Sequence, residues 1–566
     1  MKLIECVPNF SEGKNSNVIS AITDSIKKVD GVSLLGVDPG KNTNRTVVTF
    51  VGSPVAVEQA AFNAIKTASV LIDMSKHSGT HPRMGATDVC PLIPISGVTY
   101  DECIDLSRRL AKKVGDELSI PVYLYEKSAS SSSRTNLADI RYGEYEGLSK
   151  KLKSKDWKPD FGPTDFNSKS GATAIGVRNF LIAYNINLNT NDQRLATDIA
   201  FEIREKGRSK RIPNPKSSNL LDGEIIRNKD GTPVKTQGIF KDVKAVGWYL
   251  EEFKRAQVSI NLNDYKSSSI HAVFDAVCML AEERGLRVTG SELVGLVPLD
   301  AVISAGKHYL RKQSSSEGIP ENEIIECAIQ SLGLNDLDSF SPHKKIIEYA
   351  ITEEKTRLVD LSTRDFLDEV SSKTPAPGGG SVSALLGSNA ASLCSMVASL
   401  TYYKKDFFDL KQEMNDLGKK AQSLKDKLIV LIDEDTNAFN AIMDSNKMPA
   451  KTDKEVRAKK ASLKKANEQA FEVPFRVASL CAEAMNLCIP LSVKGNPNSI
   501  SDIGVAIESA YAGFKGASMN VFINMPSIEN KKLRNRISED LKNKKSEIEK
   551  SYKTAISQVN KVINSL

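Results

Sequence analysis

Residues 374–403, TPAPGGGSVSALLGSNAASLCSMVASLTYY, form a run of thirty without one charged side chain. That length would carry a helix across a bilayer. Pro375, Pro377, the triplet Gly378-Gly379-Gly380 and the polar groups of Ser383, Ser388, Asn389, Ser392, Ser395 and Ser399 argue against it, because their hydrogen-bonding groups would lack partners in lipid. The run therefore predicts a buried helix whose small residues let neighbours approach closely. Towards the carboxy terminus, Leu417, Ala421, Leu424, Leu428, Leu431, Asp435, Ala438 and Ile442 recur at spacings of three and four, the apolar stripe of one long helix. From about residue 365 onward only helix patterns occur, ending in a Lys/Glu-rich amphipathic segment at 529–566.

Towards the amino terminus the pattern changes. Strand-like stretches at 2–7, 32–37, 45–52, 70–73, 89–93 and 121–125 alternate with helical ones near 18–28 and 55–68. A further helix starts at the capping box formed by Thr99 and Glu102 and runs to about residue 118. The alternation recurs, with strands at 180–188, 245–250, 257–262 and 287–297 and helices at 196–206, 270–284 and 298–309. The expected architecture is multidomain: two α/β subdomains, βαββαβ-like α+β sandwiches, at 1–178 and 179–335, a linker at 336–360, and an all-α helical bundle at 361–566. Residues 208–242, rich in Gly, Pro, Asn and Lys, read as a long mobile surface insertion.

Composition narrows the function. The 566 residues are 40% apolar and 26% charged, with a net charge of +7 spread along the chain rather than gathered in basic blocks. A nucleic-acid partner is not expected; a small polyanionic ligand suits a mild positive excess. The eight cysteines, at 6, 90, 103, 278, 327, 394, 481 and 488, form no CxxC pair and read as reduced thiols of a cytosolic protein. The opening MKLIECVPNF lacks the apolar stretch of a signal peptide.

Four stretches carry chemistry-bearing residues. In His77-Ser-Gly-Thr-His81-Pro82-Arg83-Met84-Gly85, the i, i+4 histidines have zinc-ligand spacing, but Gly79 and Pro82 oppose a helix and no third ligand is evident, so a metal is not expected. A loop histidine without a role and a general acid/base at His81 both remain open; imidazole can accept and return a proton near neutrality, and Arg83 is placed to hold a substrate carboxylate. The glycine-bounded loop around 160–173 reads either as a connector or as a cradle offering backbone amides to a flat heterocycle. In the helical region Asp435 occupies a stripe position, whereas Asp433 and Glu434 do not and should be solvated. A carboxylate on a packing face is either structural or has the raised pKa of a general acid. Gly378, Gly379, Gly380 and Ser381, just before the uncharged helix, form a candidate anion loop.

Taken together the blocks resemble the formiminotransferase–cyclodeaminase family. ECVPNFSEGK at 5–14, TNRTVVTFVG at 43–52, LIDMSKHSGTHPRMGATDVCPLIP at 71–94, DWKPDFGP at 156–163, FLIAYNINL at 180–188 and GSELVGLVPL at 290–299 are similar to its transferase part. APGGGSVSA at 376–384, MVASLTYYKK at 396–405 and LIDEDTNAF at 431–439 are similar to its deaminase part. The resemblance implies a cytoplasmic enzyme of histidine degradation with two activities: transfer of a formimino group between N-formimino-L-glutamate and tetrahydrofolate, then closure of 5-formiminotetrahydrofolate to 5,10-methenyltetrahydrofolate with release of ammonia. It places the transferase catalytic residue on His81 and the deaminase catalytic residue on Asp435. The folate segment falls on Gly162, Pro163, Thr164, Asp165, Phe166, Asn167, Ser168, Lys169, Ser170 and Gly171; an aromatic residue found just before the final glycine in some members is absent here. It further implies tetrahydrofolate, polyglutamylated, as co-substrate, no metal, no membrane partner, and a homo-oligomer at least dimeric through the helical domain. The alternatives are a glutamate formyltransferase fused to a methenyltetrahydrofolate cyclohydrolase, and a non-catalytic folate-binding scaffold.

Overall fold

The computed structural model describes every residue except Met1, Asn42, Thr80, Ser218, 352–356 and Leu566. The chain forms two compact units: Met1–Val302 with Leu332–Thr352, and Ile303–Ser331 with Glu353–Leu566.

The first unit contains two sheets built on one plan. In the first, β1 (Leu3–Cys6) and β2 (Asn9–Phe10) precede α1 (Ser16–Lys27), β3 (Val32–Gly40), β4 (Arg45–Gly52), α2 (Pro54–Leu71), β5 (Thr87–Ser96), α3 (Tyr100–Leu118) and β6 (Val122–Glu126). The short helices α4 (Leu137–Arg141) and α5 (Glu144–Lys151) follow, and β7 (Thr173–Val177) inserts in parallel between β5 and β6. β1 and β2 lie end to end between β4 and β5, with β3 outside β4. In the second, β8 (Ile182–Leu188), α6 (Gln193–Ile203), and, after the insertion strands β9 (Arg208–Ser209), β10 (Arg211–Ile212), β11 (Glu224–Ile225) and β12 (Lys235–Thr236), come β13 (Val243–Leu250), β14 (Arg255–Leu262), α7 (Ile270–Glu282) and β15 (Val288–Val294). Its order is β13-β14-β8-β15. Each βαββαβ set thus places its first strand between its third and fourth; the two sets were expected from the sequence patterning, their strand order was not.

Side-chain alternation sets up the site. Ile4, Cys6, Phe10, Val48 and Phe50 face the helices, where they bury against Val57, Ala61, Ile65 and Leu110. Successive strand residues point to opposite faces, so Glu5, Asn9 and Arg45 face the other way. That second face is covered over β6 and β7 by Ile140 and Leu148 of α4 and α5, which pack on Tyr123 and Tyr125.

Three expectations change. Residues 70–73 are not a strand: α2 runs to Leu71, and Asp73 caps a short turn at Met74–Lys76. A four-residue apolar run cannot be told from a helix end by periodicity. Conversely β7 was not foreseen; TAIGV is buried throughout and shows no alternation. The 208–242 insertion is built rather than loose. β10 pairs with β11 and β12 with β9, and buried Arg208 binds Asp198 and Glu202.

After α8 (Leu299–Lys312) and α9 (Glu321–Leu332), the first unit is completed by α10 (Pro342–Lys345) and α11 (Ile347–Ala350). Ile303–Ser331, read from sequence as part of the second α/β subdomain, groups with the helical unit: Gly318 backs onto Gly418, and the Ser316 hydroxyl donates to Asn415. The helical unit continues with α12 (Thr363–Ser371), α13 (Gly379–Tyr402), α14 (Lys411–Lys447), α15 (Asp453–Lys494), α16 (Ile500–Asn524) and α17 (Lys531–Ile563). α13 is the uncharged run, and α14, α15 and α16 pack around it. Its small residues permit this, since a β-carbon on Gly387 would sit 2.6 Å from Cys481 Sγ. Ser388, Ser392 and Thr401 donate to carbonyls of their own helix, which satisfies their hydroxyls without water. By length and composition α13 and α15 are each long and apolar enough to cross a membrane, but more than half of each such window is buried against other helices.

Candidate active sites

In the first unit the His77–Gly85 block runs from the turn after α2 into β5. The His81 ring lies against Arg45: Nη1 is 2.6 Å from Nδ1 and 3.1 Å from Nε2, and Nδ1 is 2.7 Å from the Pro82 carbonyl. A guanidinium only donates and a carbonyl only accepts. A neutral ring keeps one nitrogen as an acceptor for the Arg45 guanidinium, whereas a protonated ring would set donor against donor at both nitrogens. Burial, and then the Arg45 charge, hold the imidazole below its ordinary pKa, so the ring is a free base at neutral pH.

Arg45 is itself anchored. Its Nε donates to Asn9 Oδ1 and its Nη1 lies 3.2 Å from the fully buried carboxylate of Asp88. Asp88 also takes Arg141 through Nη2 at 2.5 Å and Nε at 3.3 Å, and accepts the Met84 N–H. Burial, partly offset by Asp88, lowers the Arg45 pKa to about 10. Sequence reasoning missed Arg45, Asp88 and Arg141. The available signal was a charged residue inside an apolar strand, at Arg45 and Asp88.

Arg83 does not play the part expected of it. It is 7% exposed, and Glu144 and Glu146 take its Nη1 at 3.0 and 2.9 Å and Glu146 takes Nη2 at 2.7 Å. Its Nε donates to His77 Nδ1. With its charge matched by two carboxylates, Arg83 organises α5 against the His77 turn and has no donor left for a substrate. His77 turns its Nε2 to the Asn44 carbonyl. An open cavity of about 730 Å³ lies here, lined by His77, Ser78, Gly79, Pro82, Arg83, Arg141 and residues of the α4–α5 hairpin.

The 162–171 loop is tied to this block at its end. Gly171 has φ +66° and bridges Gly85; Ala172 N–H donates to the Met84 carbonyl and Ala86 N–H to the Ser170 carbonyl. A β-carbon on Gly171 would lie 2.2 Å from Met84 O. At the other end Gly162, with φ +82°, packs against Ile120. Between them Asn167 caps Ser170, Tyr145 donates to Ser168, and the Phe166 ring, 38% exposed, lies 5.4 Å from the Tyr145 ring. Thr164, Asp165 and Lys169 are exposed.

In the helical unit the two sequence features converge. Asp435 of α14 reaches the first turn of α13: the Ser381 hydroxyl, which donates to the Ile432 carbonyl at 2.8 Å, lies 3.4 Å from Oδ2, and the Ser381 backbone N–H is close enough to favour the charged carboxylate. The glycine loop therefore embraces this aspartate. Gly378 precedes the helix, and Gly380 lies directly against Asp435, where a β-carbon would clash. Burial raises the Asp435 pKa, opposed by the nearby Ser381 hydroxyl and backbone N–H. Asp433 accepts the Leu358 N–H and Glu434 pairs with Arg476, so both have protein partners where only solvent was expected. At the start of α16 neither Ser499 nor Ser501 supplies a cap bond; Asn496 caps the preceding turn.

The chain matches three family models: the formiminotransferase domain, N-terminal subdomain, over residues 3–178; the formiminotransferase domain over 183–352; and formiminotransferase-cyclodeaminase over 362–543. It is 40% identical to the formimidoyltransferase-cyclodeaminase of Mus musculus, covering 96% of this chain and 97% of that one. A glutamate formimidoyltransferase of Streptococcus pyogenes serotype M1 is 39% identical over 57% of this chain and 99% of its own length. A methenyltetrahydrofolate cyclohydrolase of Methylorubrum extorquens is 35% identical over 34% of this chain and 96% of its own. On this sequence identity, sustained from end to end, the chain belongs to the formiminotransferase–cyclodeaminase family.

Proposed function

We propose that this chain is a bifunctional folate enzyme, a glutamate formimidoyltransferase joined to a formimidoyltetrahydrofolate cyclodeaminase. The transferase occupies the two βαββαβ sets, and the deaminase the helical bundle over 361–566. In the first reaction a tetrahydrofolate nitrogen attacks the amidine carbon of N-formimino-L-glutamate and a tetrahedral intermediate forms. His81, neutral because of burial and Arg45, takes the proton from the attacking nitrogen and returns it to the departing glutamate nitrogen. The 162–171 loop holds the folate beside it. In the second reaction the other folate nitrogen closes on the same carbon. Asp435, its pKa raised by burial, protonates the leaving ammonia, which makes this half a lyase.

The observation that carries the reading is the likeness to a bifunctional relative along 96% of the chain. The test is to supply formiminoglutamate and tetrahydrofolate and follow ammonia and methenyltetrahydrofolate together. Equimolar appearance of both supports the reading; formylglutamate used in preference, without ammonia, refutes it. A second reading has its own support: the cyclohydrolase relative matches the helical half across nearly its whole length. Hydrolysis of added methenyltetrahydrofolate at a rate exceeding ammonia release would favour it.

The protein works in the cytoplasm, consistent with eight free cysteines, and the folate carries a polyglutamate tail. It is a homo-oligomer, at least a dimer through the helical unit, where Val493, Val505, Met519, Phe522 and Ile523 lie exposed on α15 and α16. A monomer in sedimentation at every concentration would refute that.

A further inference from the structure

Two charge clusters meet the 730 Å³ cavity. In one, Arg83 meets two carboxylates, Glu144 and Glu146, and every nitrogen of its guanidinium has a protein partner. In a second cluster, of which Arg141 lines the cavity, the single carboxylate of Asp88 meets two guanidiniums, Arg45 and Arg141. This cluster keeps one unmatched positive charge. Arg45 spends Nε on Asn9 and Nη1 on Asp88 and His81; like Arg141 it keeps one terminal nitrogen without a hydrogen-bonding partner among the described residues, but it does not line the cavity. Arg141 spends only its Nε and Nη2 edge, both on Asp88. Its Nη1 has no hydrogen-bonding partner among the described residues, and Arg141 lines the cavity.

We infer that Arg141 binds a carboxylate of the amino-acid co-substrate, with Arg45 adding to the local positive charge. The assignment rests on the transferase reading given above. It replaces Arg83 in that role for a geometric reason. A guanidinium held bidentate along one edge by a buried carboxylate is fixed in direction, and its remaining N–H groups form a rigid donor for an incoming anion. Glu144 and Glu146, with their excess of negative charge, line the same cavity, so a ligand bearing both an amidinium and carboxylates meets both signs of charge there.

The test uses the full chain and two substrates, N-formimino-L-glutamate and its carboxamide analogues, each with saturating tetrahydrofolate. Arg141→Met leaves Asp88 paired one-to-one with Arg45, so the fold has a basis for surviving. The loss of a charge-assisted contact predicts a KM for formiminoglutamate raised by about tenfold to a hundredfold, with the KM for tetrahydrofolate unchanged. On the analogue that lacks the bound carboxylate, Arg141→Met should lose nothing beyond what wild type has already lost. Arg141→Lys, which keeps the charge, should fall between the two, and it decides the matter if the methionine variant does not fold. Equal losses on both substrates, or a parallel rise in the KM for tetrahydrofolate, overturns the assignment. A wild-type chain that transfers no formimino group overturns the underlying reading as well, whereas active wild type with an indistinguishable Arg141→Met overturns the assignment alone.

Discussion

A β-carbon placed on Gly380 would lie 2.1 Å from Oδ1 and 2.3 Å from Oδ2 of Asp435. The carboxylate thus occupies the space that any other residue would need at the start of α13. Gly380→Ala must push Asp435 off the helix terminus. Displacing a catalytic group by about 1 Å costs roughly a hundredfold in rate. We expect ammonia release from 5-formiminotetrahydrofolate to fall by about that factor while formimino transfer is unchanged. Full ammonia release by Gly380→Ala would separate Asp435 from the chemistry.

The His81–Arg45 contact predicts a pH profile. The imidazole pKa lies below its usual 6.5, first through burial and then through Arg45. Below the lowered value the ring is protonated and cannot act as base, so transferase kcat/KM should fall as pH drops through a point under 6.5. Arg45→Met removes the second cause, and the falling limb should move to higher pH. A limb unmoved by that change would mean that Arg45 does not tune His81.

Gly171 adopts φ +66° against the Met84 carbonyl. An alanine there combines backbone strain of about 1–3 kcal/mol with a steric clash. Gly171→Ala should lower the melting temperature and raise the transferase KM for tetrahydrofolate, sparing ammonia release from preformed 5-formiminotetrahydrofolate. Unchanged folate kinetics would detach the 162–171 loop from folate binding.

Glu5, 5% exposed on the β1 face that also carries Asn9 and Arg45, has its pKa raised from 4.5 to about 7 by burial, opposed by Arg178. The folded state holds this proton more tightly than the unfolded chain, so its contribution is fully present below pH 4.5 and is lost as pH rises through 7. The full shift corresponds to roughly 3 kcal/mol. Wild type should lose stability from pH 5 to 8, and Glu5→Gln should lose less over that interval. Parallel denaturation curves for the two proteins across the interval would refute the shift.

What was legible in the sequence follows the length scale of each feature. Repeated periodicity over many residues exposed both βαββαβ sets, the helical half and the stripe that singles out Asp435. β7 stayed hidden because five buried residues have no period, and residues 70–73 were misread for the same reason. The glycine loop and Asp435 were legible separately but not as a single site, since their contact joins residues more than fifty positions apart. Arg83 misled because its neighbours in sequence say nothing of Glu144 and Glu146. The Arg45–Asp88–Arg141 cluster draws on three separate segments, which only the fold brings together.

The central claim is that two half-reactions run at two independent sites, one at His81 and one at Asp435. Its most direct test is ammonia release from formiminoglutamate and tetrahydrofolate by His81→Ala, by Asp435→Asn, and by the two variants mixed. Each variant alone should release none, Asp435→Asn should accumulate 5-formiminotetrahydrofolate, and the mixture should restore ammonia. Release of ammonia by either variant alone, or none from the mixture of two folded variants, would contradict the account.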